Sequence, residues 1–283
     1  MHYCQFRTGE IVIGVETPEK LDIKEPYSLF LTVNEKENVL VRFGYTSDIF
    51  VSGSEVTETD TYVLTEDEEK QHFYYRVSGG NEFYAERIVK KDNPDFYEIL
   101  IPEKYTGKIW TRLVFSLINI EDLACRFNAS IFHSSVIDIG GKAVLFTAPC
   151  GTGKSTQAAL WEKYRNAFVV NGDKSMIYEK DGVCLVSGVP FSGSSDICHN
   201  KILPVKAVVR LSQAKQNTIE RLRGFNAYKV LHEGCYHSKW NAQYEKNTAD
   251  LIEKIALNVP VISLACLPDK TAVEELGNFL DKQ

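Results

Sequence analysis

The sequence predicts an α/β fold: a mixed-sheet core with flanking helices, preceded by a β-rich segment. Three observations carry that reading. In the second half, short apolar runs alternate with helix-period segments, the pattern of strands and helices layered on one sheet. One of those runs, Ala143-Val144-Leu145-Phe146-Thr147, passes through a glycine-rich turn directly into a helix. The first hundred residues, by contrast, break into brief aromatic and β-branched stretches separated by turn residues.

In chain order, the β-rich part contains Phe30-Leu31-Thr32-Val33, Val39-Leu40-Val41-Arg42-Phe43, Phe73-Tyr74-Tyr75-Arg76-Val77 and Phe83-Tyr84-Ala85-Glu86-Arg87-Ile88. Gly79-Gly80-Asn81 between the last two is a hairpin signal. The acidic run 66–69 reads as a solvated turn. Ile109, Leu113, Leu117, Ile120, Ala124 and Phe127 then keep the three-to-four spacing of one buried helix face. These features divide the chain into a β-rich N-terminal domain over 1–104, a connecting helix over 105–127 and an α/β domain over 128–283.

Within the α/β domain, 131–138 and 143–147 read as adjacent strands joined at Gly140-Gly141. The helix after the glycine-rich turn carries Ala158, Leu160, Trp161 and Tyr164. Phe168-Val169-Val170 is a strand, and Met176-Ile177-Tyr178 pairs with Cys184-Leu185-Val186 across Asp181-Gly182. A strand over 205–211, helices over 226–235 and 247–257, a strand over 261–266 and a helix from Thr271 complete the order.

The glycine-rich turn reads Ala148-Pro149-Cys150-Gly151-Thr152-Gly153-Lys154-Ser155-Thr156. Glycines between a strand and a helix free backbone N–H groups to face an anion, and the helix N-terminus adds partial positive charge. This is the Walker A pattern, with Ala148 in place of its first glycine. It predicts that Pro149, Cys150, Gly151, Thr152, Gly153, Lys154, Ser155 and Thr156 cradle a nucleoside triphosphate. Lys154 reaches the outer phosphates, and the Ser155 hydroxyl ligates Mg²⁺.

Phosphoryl transfer also needs a carboxylate near the attacking hydroxyl. Asp173, in Val169-Val170-Asn171-Gly172-Asp173-Lys174, ends the next core strand. Loops at the carboxyl ends of core strands converge on one crevice, so Asp173 is expected to face Lys154 and Ser155. It would hold Mg²⁺, orient the acceptor or act as base, although Asn-Gly-Asp is also ordinary turn composition. His133, on the strand preceding the one that enters the turn, is a candidate for contact with the transferring phosphate or with an acidic substrate group; strand histidines also serve structure alone. The small-residue loop over 188–195 suits a substrate cover or a plain surface connection. Arg210, Arg221 and Arg223 are candidates for charge stabilisation.

Composition narrows the classes. Of 283 residues, 44% are apolar and 25% charged, the balance of a soluble globular protein. A net charge of -6 argues against a broad nucleic-acid footprint. No apolar run approaches the roughly 20 residues that span a bilayer. The start, Met1-His2-Tyr3-Cys4-Gln5-Phe6, lacks the basic and apolar blocks of a secretory signal. The 7 cysteines are odd in number and scattered, which predicts reduced thiols and a cytoplasmic location. Cys198, His199, Cys235 and His237 contain the atom types of a zinc site but not its usual spacing. Cys150, beside a helix N-terminus, is either a reactive thiol or merely a small residue that fits.

The residues His133 to Val136, the strand pair, the loop 149–155 and Asn171-Gly172-Asp173 resemble the catalytic domain of HPr kinase/phosphorylase, whose fold is shared with phosphoenolpyruvate carboxykinase. The chain is most similar to the small HPr-kinase-like proteins of bacterial peptide-modification clusters, which carry Gly-x-Pro-Trp-Ser-Gly where this one has Gly188-Val189-Pro190-Phe191-Ser192-Gly193. The resemblance spans about 128–281. It implies an ATP- and Mg²⁺-dependent kinase acting on a serine-type hydroxyl of a peptide, protein or small molecule. Lys154 and Ser155 would bind phosphate and metal, Asp173 would be the catalytic carboxylate, and His133 the histidine near the phosphate. HPr kinase assembles as a hexamer, which leaves homo-oligomerisation open. Gly172 stands where HPr kinase has the first of two aspartates, and Ser187-Gly188-Val189-Pro190 replaces its acidic Glu-x-Arg-Gly segment. Those departures separate HPr as substrate, and the reverse phosphorylase reaction, from what the resemblance implies. The rival reading is a nucleotide-binding regulatory or adaptor protein of a peptide-maturation system without phosphotransfer.

Overall fold

The computed structural model describes residues 1–77, 80, 82–191, 193 and 197–282. Contacts divide the chain into two compact units, Met1–Leu123 and Ala124–Gln283.

The N-terminal unit is one nine-stranded mixed sheet. Its strands are β1 (His2–Thr8), β2 (Ile11–Thr17), β3 (Leu31–Thr32), β4 (Val39–Thr46), β5 (Ser54–Glu58), β6 (Tyr62–Glu66), β7 (Lys70–Arg76), β8 (Phe83–Lys90) and β9 (Asn93–Pro102), in the order β3-β1-β2-β4-β9-β8-β7-β6-β5. The β2–β4 and β4–β9 pairings are parallel. β7 and β8 pair antiparallel, as the sequence around the expected hairpin suggests, although Gly79 and Asn81 of its turn lie outside the described residues. The acidic run forms a turn in which the Asp67 carboxylate accepts from the backbone N–H of Glu69 and Lys70.

The helix expected over 105–127 is two helices, α1 (Thr111–Ile118) and α2 (Ile120–Arg126). Asn119 separates them with φ 56°, a left-handed conformation that asparagine tolerates and that ends a helix. Its side-chain amide then donates to the Asp122 carboxylate at 2.7 Å, tying it to the second helix. The apolar spacing runs through this break because both helices bury the same kind of face. Phe115 of α1 meets Phe6 edge-on at 4.9 Å and stacks on Tyr27 at 5.6 Å. Buried Arg87 lies 3.8 Å over the Phe73 ring and donates to the carbonyls of Leu117 and Ile118. A cation is favoured at that helix end.

The second unit contains β10 (Ala129–His133), β11 (Ser135–Ile139), β12 (Lys142–Thr147), α3 (Lys154–Arg165), β13 (Phe168–Asn171), β14 (Lys174–Lys180), β15 (Val183–Gly188), β16 (Ile202–Gln213), β17 (Thr218–Leu222), α4 (Phe225–Gly234), α5 (Ala242–Asn258), β18 (Val261–Cys266) and α6 (Lys270–Leu280). The sheet order is β10-β14-β15-β16-β12-β11-β13, with β18 beside β16 and β17 beside β18. The β12–β16 and β16–β18 pairs are parallel and the others antiparallel, so the sheet is mixed. Asp181 and Gly182 both have positive φ, as a tight hairpin turn between β14 and β15 requires.

Residues 131–138 do not form the single strand expected from their apolar run. The chain breaks at Ser134: β10 pairs with β14, whereas β11 pairs with β12 and β13. The Ser134 hydroxyl is fully buried and meets the Ser175 hydroxyl at 2.9 Å, which fixes the crossing.

Side-chain alternation along the central strands supplies two cores. Leu145 and Val208 pack with Phe132 and with Leu231, Leu251 and Ile255 of α4 and α5. Val144, Phe146 and Val209 face the other way, against Trp161 of α3 and Val273 and Leu276 of α6. Helices therefore cover both faces and leave the strand ends open to solvent. No helix among the described residues is long and apolar enough to cross a membrane.

Phe146, fully buried with its ring 6.3 Å from that of Trp161, anchors the strand that leads into the glycine-rich turn. Phe146→Ala is expected to destabilise the second unit by about 3–5 kcal/mol, the usual cost of emptying a buried phenylalanine site. Urea unfolding followed by tryptophan fluorescence measures it.

Candidate active site

β11 is antiparallel to both β12 and β13, so β12 and β13 run in the same direction and end at the same edge. The β10–β11 crossing lies at that edge. Topology thus gathers three segments far apart in sequence: His133-Ser134-Ser135, the turn 148–153, and Asn171-Gly172-Asp173.

The turn enters α3 with Gly151 at φ 76° and Gly153 at φ 118°. Gly153 is the N-cap and no side chain caps the helix, so its first-turn N–H groups are left facing outward. Ser155 and Thr156 are exposed, as is Cys150. Lys154 is folded inward, 8% exposed, with its ammonium donating to the Ala148 carbonyl at 3.1 Å. Burial lowers its pKa, and the charge of Asp173 partly offsets this.

His133 Nε2 lies 3.3 Å from Asp173 Oδ1. The Asp173 backbone is set by Asn171, which is wholly buried and uses its whole amide. Its oxygen accepts from the N–H of Asp173 (3.0 Å) and Lys174 (3.1 Å), and its NH₂ donates to the carbonyls of Val189 and Phe191 at 3.0 Å each. The Ser135 hydroxyl donates to the Gly172 carbonyl at 2.7 Å, and the Thr147 hydroxyl to the His133 carbonyl at 3.0 Å. Gly193 touches the same carboxylate: a Cβ there would sit 2.7 Å from Asp173 Oδ2. Part of the 188–195 loop therefore lies on Asp173, while Ser192, Ser194 and Ser195 are outside the described residues.

Burial pushes the His133 pKa down, the Lys154 ammonium pushes it further, and Asp173 pulls it back up by charge and hydrogen bonding. Lys154, His133 and Asp173 are thus one electrostatic group. A cavity of about 380 Å³ opens beside them, lined by His133, Thr147, Pro149, Arg210 and Glu233 among others. On the other side of the turn a cavity of about 470 Å³ is bounded by Gly151, Thr156, Gln157, Gln213 and Pro268. The N-terminal unit has a roomier cavity, about 650 Å³, walled by Tyr84, Tyr105, Trp110 and Arg112. Among the described residues its lining includes no carboxylate.

Of the three arginines singled out, Arg210 reaches this edge and pairs with Glu233. Arg221 and Arg223 are exposed on and just after β17. Cys198, His199, Cys235 and His237 do not converge into a metal site: Cys198 bridges to Asn171, Cys235 to Phe132, and the His199 ring packs 4.8 Å from Phe168. Sequence reasoning passed over the supports of the site, namely Asn171, Ser135 and Thr147. The signal for Asn171 was present, since a fully buried strand that ends in asparagine has to satisfy its amide somewhere.

No family model matches the chain, and no curated protein matches it. Among solved structures, the HPr(Ser) kinase/phosphatase from Coxiella burnetii is similar at 14% identity and a TM-score of 0.32, over 52% of this chain and 93% of that one. A likeness of that degree assigns neither a fold family nor an activity to this chain.

The electrostatic group makes a signed prediction. His133 is expected to titrate below the ordinary 6.5. Lys154→Met removes a repulsion against the imidazolium and raises the midpoint; Asp173→Asn removes an attraction and lowers it. NMR titration of the His133 ring checks all three, and an unchanged midpoint in both variants rules out the coupling.

Proposed function

We propose that the second unit is an ATP-dependent kinase that transfers the γ-phosphoryl group to a serine-type hydroxyl of a peptide, protein or small molecule. The observation that carries this reading is the His133–Asp173 pair, 3.3 Å apart beside Lys154 and the uncapped N-terminus of α3. An anion site and an acid–base pair at one strand edge are two of the parts that phosphoryl transfer uses, a metal ion being the third.

In this reading the polyphosphate lies against the N–H groups of 149–156, and Lys154 leaves the Ala148 carbonyl for the outer phosphates. The acceptor hydroxyl enters from the His133 side. Its oxygen attacks the γ-phosphorus, the bond to the β–γ bridging oxygen breaks, ADP leaves, and the hydroxyl proton passes to Asp173. Held by Asp173 through its Nε2–H, His133 stands beside the transferring phosphate and keeps the carboxylate aimed at the hydroxyl. Gly193 restricts the room around the carboxylate and so helps aim it.

The donor set fits Mg²⁺, because an exposed hydroxyl at Ser155 and a carboxylate at Asp173 are the hard oxygen ligands that ion prefers. Held there, it would neutralise charge on the phosphate oxygens. A carboxylate has two oxygens, so Asp173 can serve the ion with one and the hydroxyl with the other. The free cysteines fit a reducing, cytoplasmic setting.

One feature favours a second reading, a nucleotide-binding regulator without transfer: Gly172 leaves Asp173 without an adjacent aspartate. Incubation of the full chain with γ-labelled ATP, Mg²⁺ and serine-containing acceptors separates the two. Wild type is expected to label an acceptor, and Asp173→Asn to lower the rate by roughly 10²–10⁴-fold, the usual contribution of a positioned base. Lys154→Ala is expected to weaken nucleotide binding measured by calorimetry. Tight binding with no labelled acceptor supports the regulator, and equal rates in wild type and Asp173→Asn remove Asp173 from the chemistry.

A further inference from the structure

A second cluster lies at the connection between α4 and α5. His232 is in the last turn of α4, Glu245 is in the first turn of α5, and His237 sits between them. One donor atom from each of the three lies within 4.8 Å of the others. The two imidazoles lie against each other in a tilted contact, with ring centroids 4.0 Å apart and planes inclined by 33°.

The hydrogen bonding of His237 asks for a cation. Its Nε2 lies 2.8 Å from the His232 backbone carbonyl, which can only accept, so that nitrogen carries the hydrogen. Its Nδ1 lies 2.9 and 3.1 Å from the two oxygens of Glu245, also an acceptor. A neutral ring has one N–H and cannot satisfy both. With Nε2–H committed to the carbonyl, Nδ1 turns a lone pair toward a carboxylate, an arrangement that needs a proton or a metal ion between them.

The third group decides between those two. A proton on His237 would be fully served by Glu245 alone. Here a second imidazole, that of His232, exposed and with no side-chain hydrogen-bond partner among the described residues, brings another nitrogen within 4.8 Å of the other two donor atoms. Two imidazole nitrogens and one carboxylate are a donor set suited to zinc and its neighbours, and three protein ligands leave one position for water. The Nε2–H···O=C bond is the contact that orients metal-binding histidines and leaves the other nitrogen bare. Zinc–nitrogen bonds of about 2.0–2.1 Å hold ligand atoms roughly 3.4 Å apart, a contraction that the exposed His232 ring can supply by rotating.

We propose that His232, His237 and Glu245 form a binding site for a divalent transition-metal ion of the zinc type, which clamps the α4–α5 connection. The clamp bears on the strand that ends in His133: Tyr236 N–H donates to the Ile131 carbonyl at 2.8 Å, the Ser130 hydroxyl donates to the Tyr236 carbonyl at 3.2 Å, and Cys235 bridges to Phe132. Metal at this site would hold β10 in place, whether or not the protein is a kinase.

The test uses the full chain, stripped with EDTA and kept reduced, titrated with Zn²⁺ against a chromophoric zinc chelator. One equivalent is expected to bind and to raise the melting temperature, since a ligand of the folded state stabilises it. Co²⁺ in place of Zn²⁺ is expected to give visible bands of nitrogen–oxygen ligation without a sulfur charge-transfer band, which excludes the thiols. His232→Ala, at an exposed ring, and the near-isosteric Glu245→Gln are each expected to weaken binding by more than the roughly 10–100-fold typical of losing a supporting partner. His133→Ala, which removes the histidine of the other pair in this unit, keeps the full equivalent. Absence of stoichiometric binding overturns the proposal, as does binding unchanged in His232→Ala and Glu245→Gln. So does a ¹⁵N spectrum in which both His237 nitrogens carry hydrogen and ignore added Zn²⁺.

Discussion

The buried hydroxyl pair at the Ser134 crossing organises everything at the strand edge. There the chain leaves β14 as partner and takes up β12 and β13, and the Ser134–Ser175 contact holds the two strand systems together. Had 129–139 continued as one strand, His133 would stand in mid-sheet and not beside the end of β13. Because the crossing is pinned, the residues on either side of Ser134 inherit their positions: Ser135 bonds to Gly172, and the His133 carbonyl accepts from Thr147. Short polar side chains inside an apolar core are costly unless paired, and here Ser135 joins two of the site segments directly while Ser175 and Thr147 tie the first of them to the strands beside the other two.

The charged groups depend on that scaffold in turn. Lys154 and His133 are both partly withdrawn from water, which disfavours their charged forms, and Asp173 is the anion that counters this for both. A small displacement of Asp173 would therefore alter two cations at once. The three backbone-fixing bonds of the Asn171–Asp173 segment and the close approach of Gly193 keep that displacement small.

Much of this was legible in the chain. The strand–turn–helix around 143–165 follows from apolar run, glycines and helix periodicity, and the convergence of Lys154 and Asp173 at one edge follows from parallel strand directions, whereas His133 reaches that edge only through the break at Ser134. The edge strands β5 and β17 were not legible, because strands such as Thr218–Leu222 are short and half exposed and show no clean alternation. The breaks at Asn119 and Ser134 were hidden for a different reason. Apolar spacing records which residues are buried, and burial continues across a break that one left-handed asparagine or one serine hydroxyl creates. His232 and Glu245 were likewise invisible beside His237, since only the α4–α5 packing brings them together.

The Asn171-Gly172 peptide has one more consequence, a matter of chemical durability. Asparagine followed by glycine is the dipeptide in which the side-chain amide is most readily attacked by the next backbone nitrogen, losing ammonia and becoming an acid. In this fold the Gly172 nitrogen is turned to the Ile197 carbonyl at 3.1 Å, and the Asn171 amide is buried and occupied on every side. The arrangement that aims Asp173 also shields the bond before it from ageing, so the folded protein outlasts its own most perishable dipeptide.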